Sequence, residues 1–167
     1  KINYAEHLLR HEAKNKNKPV FHHLTESKSL DSMSWHELGS SVRKVAEYLR
    51  GMGVKPGDRV VSYMPNIPET AIAMIATVSI GAVWSSAAIE FGPRTVIDRF
   101  SQIEPKVIFV ANGYEFNGKK FFRESDILEI SKGLPSLETI IWYQNIESAA
   151  DVPDIKGMIN WREMFNG

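Results

Sequence analysis

The chain has 167 residues, 43% hydrophobic and 24% charged, which is ordinary for a soluble globular protein and long enough for one domain with a real core. Lys plus Arg is 20 and Asp plus Glu is 20, so the net charge is zero and nothing asks for nucleic acid as a partner. The absence of cysteine removes disulfides, thiolate nucleophiles and Cys-ligated zinc, and fits a reducing cytoplasm. No apolar run is long enough to span a membrane, and no signal-peptide pattern opens the chain. The sequence begins at Lys1 and stops at Asn166-Gly167, and both ends read as cuts in a longer protein.

Tyr4 to Lys14 is expected as a short helix with Leu8 and Leu9 on its apolar side. Pro19 to Leu24 and Ser32 to Ser34 read as extended pieces around a polar turn over 25–31. Ser34 with Glu37 forms a capping box, each side chain satisfying the other's free backbone N–H. The helix it opens places Leu38, Val42, Val45, Ala46 and Leu49 on one face, and Gly51 and Gly53 end it. Pro56-Gly57-Asp58 is a turn into a strand over Arg59 to Met64. Asn66 is expected to cap the next helix, with Pro68 in its first turn, Ile72, Met74, Ile75 and Val78 along it, and Gly81 at its end.

Ala82 to Ser86 is a second strand, and Pro93 opens a helix carrying Val96, Ile97, Phe100 and Ile103. Lys106 to Val110 is a third strand, a helix follows around Asp126 to Lys132, and Thr139 to Tyr143 is a fourth strand. Gln144 to Asp154 reads as loop and Trp161 to Phe165 as a helical turn. This alternation predicts an α/β fold: a parallel-rich sheet with helices on its faces and right-handed crossovers.

Several tempting motifs have plainer readings. Gly51-x-Gly53 followed by Gly57 misses G-x-G-x-x-G by one residue and follows a helix, so it reads as a C-cap and a turn. No Walker loop is present. His7 and His11 have metal-ligand spacing on a helix, but no third ligand accompanies them, and they read as a solvated face. No Ser/His/Asp set has a strand-turn-helix elbow around its serine. Glu124 and Asp126 read as solvated carboxylates, and Trp35, Trp84 and Trp142 as packing residues. No residue takes a catalytic or metal-binding role.

Two stretches stand out as candidate cofactor-binding sites. Ala88-Ile89-Glu90-Phe91-Gly92-Pro93-Arg94 is a loop after a parallel strand, at the start of a helix. Ligands of parallel sheets bind beyond the carboxyl ends of strands, and helix N-termini favour anions. Arg94 opposes the helix dipole unless something negative is near. Either a ligand supplies that charge, or Glu90 does and Gly92 simply turns the chain. The second stretch is Asn117-Gly118-Lys119-Lys120, with Arg123 close by, after the third strand and so expected on the same sheet edge. A glycine beside two lysines suits a phosphate contact, and equally suits a solvated surface.

Longer wording adds to this. Asn3-Tyr4-Ala5-Glu6 with Leu8-Leu9, Gly57-Asp58-Arg59-Val60, Pro65-Asn66, Gly81-Ala82-Val83-Trp84-Ser85-Ser86, the run 98–106 and Lys132-Gly133-Leu134-Pro135 resemble the N-terminal part of adenylate-forming acyl-CoA synthetases. Trp84-Ser85-Ser86 and Phe91-Gly92 resemble the acetoacetyl-CoA synthetase branch, whereas the acetate branch is glycine-rich in this loop. The resemblance implies a parent ligase that uses ATP, Mg2+ and CoA: an acid is activated as an acyl-adenylate, then transferred to the CoA thiol. It implies that residues 1–167 are a partial adenylation domain, its first α/β subdomain, with the phosphate loop, acyl pocket and catalytic C-terminal domain elsewhere.

It also implies CoA contacts from the Ala88-Ile89-Glu90 loop and, more loosely, from Gly118 and Lys119. The branch usually reads Ser-Pro-Asp-Phe-Gly where this chain has Ala88-Ile89-Glu90-Phe91-Gly92, a change that removes a stiff proline and lengthens the acid's reach. Three functions remain open from sequence: part of an acetoacetate–CoA ligase, part of another acyl-CoA ligase using acetate, propionate or a fatty acid, or a non-catalytic module binding CoA or a protein.

Overall fold

In a computed structural model, which describes residues 2–26, 28–147 and 152–166, the chain is built on a five-stranded parallel sheet. Its strands are β3 (Arg59–Met64), β4 (Val83–Ala88), β5 (Val107–Ala111), β8 (Thr139–Tyr143) and β9 (Met158–Asn160), in the order β4-β3-β5-β8-β9. Two antiparallel hairpins stand outside it: β1 (Pro19–Thr25) with β2 (Lys28–Ser34), and β6 (Gly113–Phe116) with β7 (Lys119–Phe122). The helices are α1 (Tyr4–Leu9), α2 (Glu12–Asn15), α3 (Trp35–Gly51), α4 (Pro68–Ser79), α5 (Pro93–Phe100) and α6 (Glu124–Gly133), with a 3-10 turn over Trp161–Phe165.

The expected α/β class is thus what forms. All five residues of β5 are buried, which requires cover on both faces of the sheet. α3 packs on α4, and α5 on α6. The chain leaves β3 for β4 on one side and returns past it to β5 on the other. With right-handed crossovers, that reversal puts α4 and α5 on opposite faces. The reversal also opens a crevice at the carboxyl ends of β3 and β5.

The capping box forms as expected: Ser34 N donates to Glu37 Oε2 at 2.7 Å and Glu37 N to Ser34 Oγ at 3.2 Å. Leu38, Val42, Val45, Ala46 and Leu49 are all buried in the one core cluster. The end of this helix needs a correction. Gly51 is helical, and Gly53 alone takes the left-handed position, φ 78°. Gly53 N bonds to Arg50 O and Val54 N to Leu49 O, the paired bonds of a Schellman end.

Other boundaries move too. The expected first helix is two, broken over Arg10 and His11. The polar stretch 25–31 is mostly strand, since β2 already begins at Lys28. Ile67, not Asn66, is the N-cap of α4, and no side chain caps it; Pro68 opens the helix without an N–H to satisfy. Within the expected loop over 144–154, residues 148–151 lie outside those described.

The amino ends of the strands are fastened to one another. Lys106 Nζ donates to Gly53 O at 3.0 Å and lies 3.6 Å from Asp58 and 3.5 Å from Glu138. Arg59 Nε donates to Ile103 O at 2.6 Å and Nη2 to Glu104 O at 2.9 Å. Backbone bonds Lys106 N to Arg59 O and Glu138 N to Lys106 O continue the seam from strand to strand.

Candidate functional site at the carboxyl ends of the strands

β4 ends at Ala88, and the chain then turns over Ile89 and Glu90, with Phe91 N bonded to Ala88 O, before entering α5. Ile89 is fully buried, so its side chain belongs to the core and only its backbone can face a ligand. Ala88 and Glu90 are exposed and border a cleft of about 280 Å³ with Met64, Pro65 and Asn66 from the end of β3. This is where a parallel sheet receives ligands.

Glu90 and Arg94 are both exposed and, among the described residues, neither side chain makes a hydrogen bond or ion pair. Glu90 therefore does not answer the charge of Arg94, as the plainer reading expected. α5 opens at Gly92 with no side-chain cap, so its first N–H groups have no side-chain acceptor of their own. A free guanidinium, uncapped amides and a free carboxylate suit a ligand with both acidic and hydrogen-donating groups.

The second candidate stretch is a hairpin turn. Asn117 and Gly118 both have positive φ, 52° and 69°, the pair that a two-residue type I′ connection needs. It springs from the end of β5, so it does stand at the carboxyl end of the sheet. Gly118, Lys119 and Lys120 are exposed, and Lys120 lies 3.9 Å from Glu115. The turn amides are engaged: Asn117 N donates to Glu26 Oε1 and Gly118 N to Glu26 Oε2, both at 2.8 Å. These bonds hold the Glu26 carboxyl below the usual glutamate range, so it is ionised at neutral pH.

Tyr63 sits between the two stretches. It is fully buried, and its hydroxyl donates to Phe91 O at 2.7 Å. Burial drives its phenol far above the ordinary value, while Arg123, Asp126, Tyr114 and Glu90 all act on it electrostatically. It stays protonated and pins the loop after β4. Arg123 bridges from the other side: Nη1 pairs with Asp126 at 2.9 Å, Nη2 donates to Tyr114 Oη at 3.3 Å, and the guanidinium lies over the Tyr114 ring at 5.3 Å.

Asp126 is therefore half-buried and paired, not solvated, and Glu124 Oε1 is buried without a partner. Asn112 closes the crevice behind: its side chain donates to Ile146 O and accepts from Asn145 N and Ile146 N. None of Tyr63, Asn112 or Glu26 was singled out from sequence. Asn117-Gly118 between Tyr114 and Phe121 is the one signal that pointed to a hairpin here. His11 meets the Trp35 ring at 5.9 Å, a packing contact.

This geometry is that of the carboxyl edge of a doubly wound α/β sheet, the place where such sheets receive ligands, with no catalytic constellation among the described residues. The chain belongs to the AMP-binding enzyme family, whose model matches residues 8–159. Within it, the chain is 37% identical over 167 residues to the acetoacetyl-coenzyme A synthetase of Rhizobium meliloti (strain 1021), covering all of this chain and 25% of that one. It is 42% identical over 142 residues to the acetoacetyl-CoA synthetase of Macaca fascicularis, covering 84% of this chain and 21% of that one. A solved structure titled acetoacetyl-CoA synthetase from Streptomyces lividans matches with a TM-score of 0.93 and 37% identity over 99% of this chain and 25% of its own. The chain thus spans about a quarter of the length of the relatives it matches. No helix among the described residues is long and apolar enough to cross a membrane.

Proposed function

We propose that this chain is the first α/β subdomain of the adenylation domain of an AMP-forming acetoacetate–CoA ligase. The observation that carries the reading is the 37% identity, running across the whole chain, with an enzyme named for acetoacetyl-CoA synthesis. In the whole protein the acetoacetate carboxylate attacks ATP, with Mg2+ on the phosphates, to give the acyl-adenylate and pyrophosphate. The CoA thiol then takes the acyl group and AMP leaves. The substrates are small molecules, and the reading implies a cytoplasmic enzyme of lipid metabolism.

The part assigned to these residues is support and approach. The seam at the amino ends holds the sheet rigid. At the carboxyl ends the Ala88-Ile89-Glu90 loop and Arg94 form one wall of the CoA approach, and Gly118, Lys119 and Lys120 the other. Arg94 and the lysines offer positive charge to phosphate, and Glu90 accepts from hydroxyl or amide groups. Adenylation needs a Ser/Thr- and Gly-rich phosphate loop, which this sequence does not contain. The 167-residue chain alone is therefore expected to give no pyrophosphate exchange.

The test is CoA ligation by the full-length protein with acetoacetate, acetate and propionate in parallel. Turnover with the highest kcat/KM on acetoacetate supports the reading. Preference for acetate or propionate replaces the substrate, and no ligation with any acid overturns the enzyme assignment.

A further inference from the structure

The anion at the Asn117-Gly118 turn belongs to the protein itself. Glu26, at the tip of the β1–β2 hairpin, reaches a turn 91 and 92 residues further along and fills both amides with its two oxygens. That two-point grip is the one a phosphate group makes, since it offers two oxygens at similar spacing to neighbouring N–H donors.

We propose that Glu26 is a built-in competitor at a phosphate-binding turn: a phosphate group of the incoming ligand takes the Asn117 and Gly118 amides, and the Glu26 side chain swings away. The proposal deepens the reading of this turn as part of the CoA approach and rests on it.

Three observations support displacement over permanent fastening. The charge at the turn favours the stronger anion. Lys119 has no ion partner among the described residues, and Lys120 reaches Glu115 only at 3.9 Å. Glu26 brings one charge to the turn and Glu115 answers Lys120 only at that distance, whereas a phosphate monoester in place of Glu26 brings about −1.5 to −2.

The clasp is also exposed on both sides: Glu26, Asn117 and Gly118 all face solvent. Water replaces its bonds at small cost, and no core side chain moves when it opens. Finally, the ground around Gly118 is clear, with no heavy atom within 4 Å of where a Cβ would project. A ligand can come up to the turn from outside.

The experiment compares the full-length protein with its Glu26→Ala variant. Inorganic phosphate, CoA and 3′-dephospho-CoA are titrated calorimetrically. The Asn117 and Gly118 amides are followed by selective 15N labelling. Removing the competitor is expected to tighten inorganic phosphate by about 3-fold, the scale of one exposed charge interaction, with both amides shifting as phosphate is added. CoA gains by a similar factor.

A gain that vanishes with 3′-dephospho-CoA assigns the group to the 3′-phosphate, and a gain that persists assigns it to the pyrophosphate; either supports the proposal. Phosphate affinity that stays the same or weakens, or turn amides that do not respond, overturns it. Tighter phosphate with no CoA binding at all keeps Glu26 as competitor and overturns the CoA reading of the turn.

Discussion

The two ends of the parallel sheet are built on opposite principles. At the amino ends, polar groups are spent on one another: Lys106 gathers Gly53, Asp58 and Glu138, and Arg59 holds the backbone of Ile103 and Glu104. At the carboxyl ends, some polar groups pair, as Tyr63 and Asn112 do, and others are left over. Glu90 and Arg94 have no partner among the described residues, and Arg123 Nε and Glu124 Oε1 are buried without one. The stretches Gly57-Asp58-Arg59-Val60 and Glu104-Pro105-Lys106, which carry much of the family resemblance, lie in the fastened end. Their side chains make scaffold, while other stretches of the same wording, Pro65-Asn66 and Phe91-Gly92, lie at the open end.

The contrast predicts unequal costs. Lys106→Met should be the most damaging, about 2 kcal/mol, because it strips a charged donor from Gly53 O and leaves Asp58 and Glu138 without their cation. Urea unfolding of the chain would show a lower midpoint with an unchanged slope. A midpoint equal to wild type would mean that the amino end is no better fastened than the other.

Acid should loosen the molecule by a known route. The Asp58 carboxyl is lowered first by its bond from Lys55 N and also by Lys106, and Glu12 is lowered chiefly by its bond from Arg43. A depressed folded-state value adds stability above the unfolded value, and that stability drains away as pH falls through the folded one. The melting temperature should therefore hold at neutral pH and decline once pH drops through the ordinary values of 4.5 for Glu and 3.8 for Asp. Asp58→Asn should lower the neutral plateau and make the decline shallower. A decline as steep as wild type would remove Asp58 from the account.

The centre of the sheet holds a smaller reserve. Ser62 in β3 and Thr77 in α4 are fully buried, and neither hydroxyl has a partner among the described residues. Their burial costs stability that an apolar side chain of similar size would recover. Ser62→Ala and Thr77→Val should each raise stability by about 1 kcal/mol, read as a higher urea midpoint. A drop would reveal a role for the hydroxyl.

Sequence made the sheet legible wherever local rules and burial agree. β3 and β8 fall on the expected residues, Arg59–Met64 and Thr139–Tyr143, as does the final turn Trp161–Phe165. Each is a short apolar run or capped turn that needs nothing distant. β9 was missed because three residues, none of them fully buried, carry no periodic pattern; pairing with β8 alone makes Met158–Asn160 a strand. β2 was mostly read as turn because its first five residues are exposed and its register comes from β1.

At the candidate site the chemistry of Lys119 and Lys120 drew the eye from the turn geometry of Asn117-Gly118. Glu26 was invisible, since nothing local joins residues so far apart. Tyr63 looked like one more apolar strand residue until its hydroxyl met Phe91 O.

The smallest stability effect is the most telling about function. Glu90→Gln and Arg94→Gln touch exposed side chains with no partner among the described residues, so each should change stability by no more than about 0.5 kcal/mol. If the open end of the sheet receives CoA, the same variants should weaken CoA binding to the full-length protein, Arg94→Gln by about 3- to 10-fold for one lost charge-assisted contact. KM for ATP should stay where it was. A fall in stability without a change in CoA affinity would place these residues in the scaffold. Loss of CoA affinity at unchanged stability is what a surface kept free for a ligand must show, because groups with no role in holding the fold can matter only to what binds them.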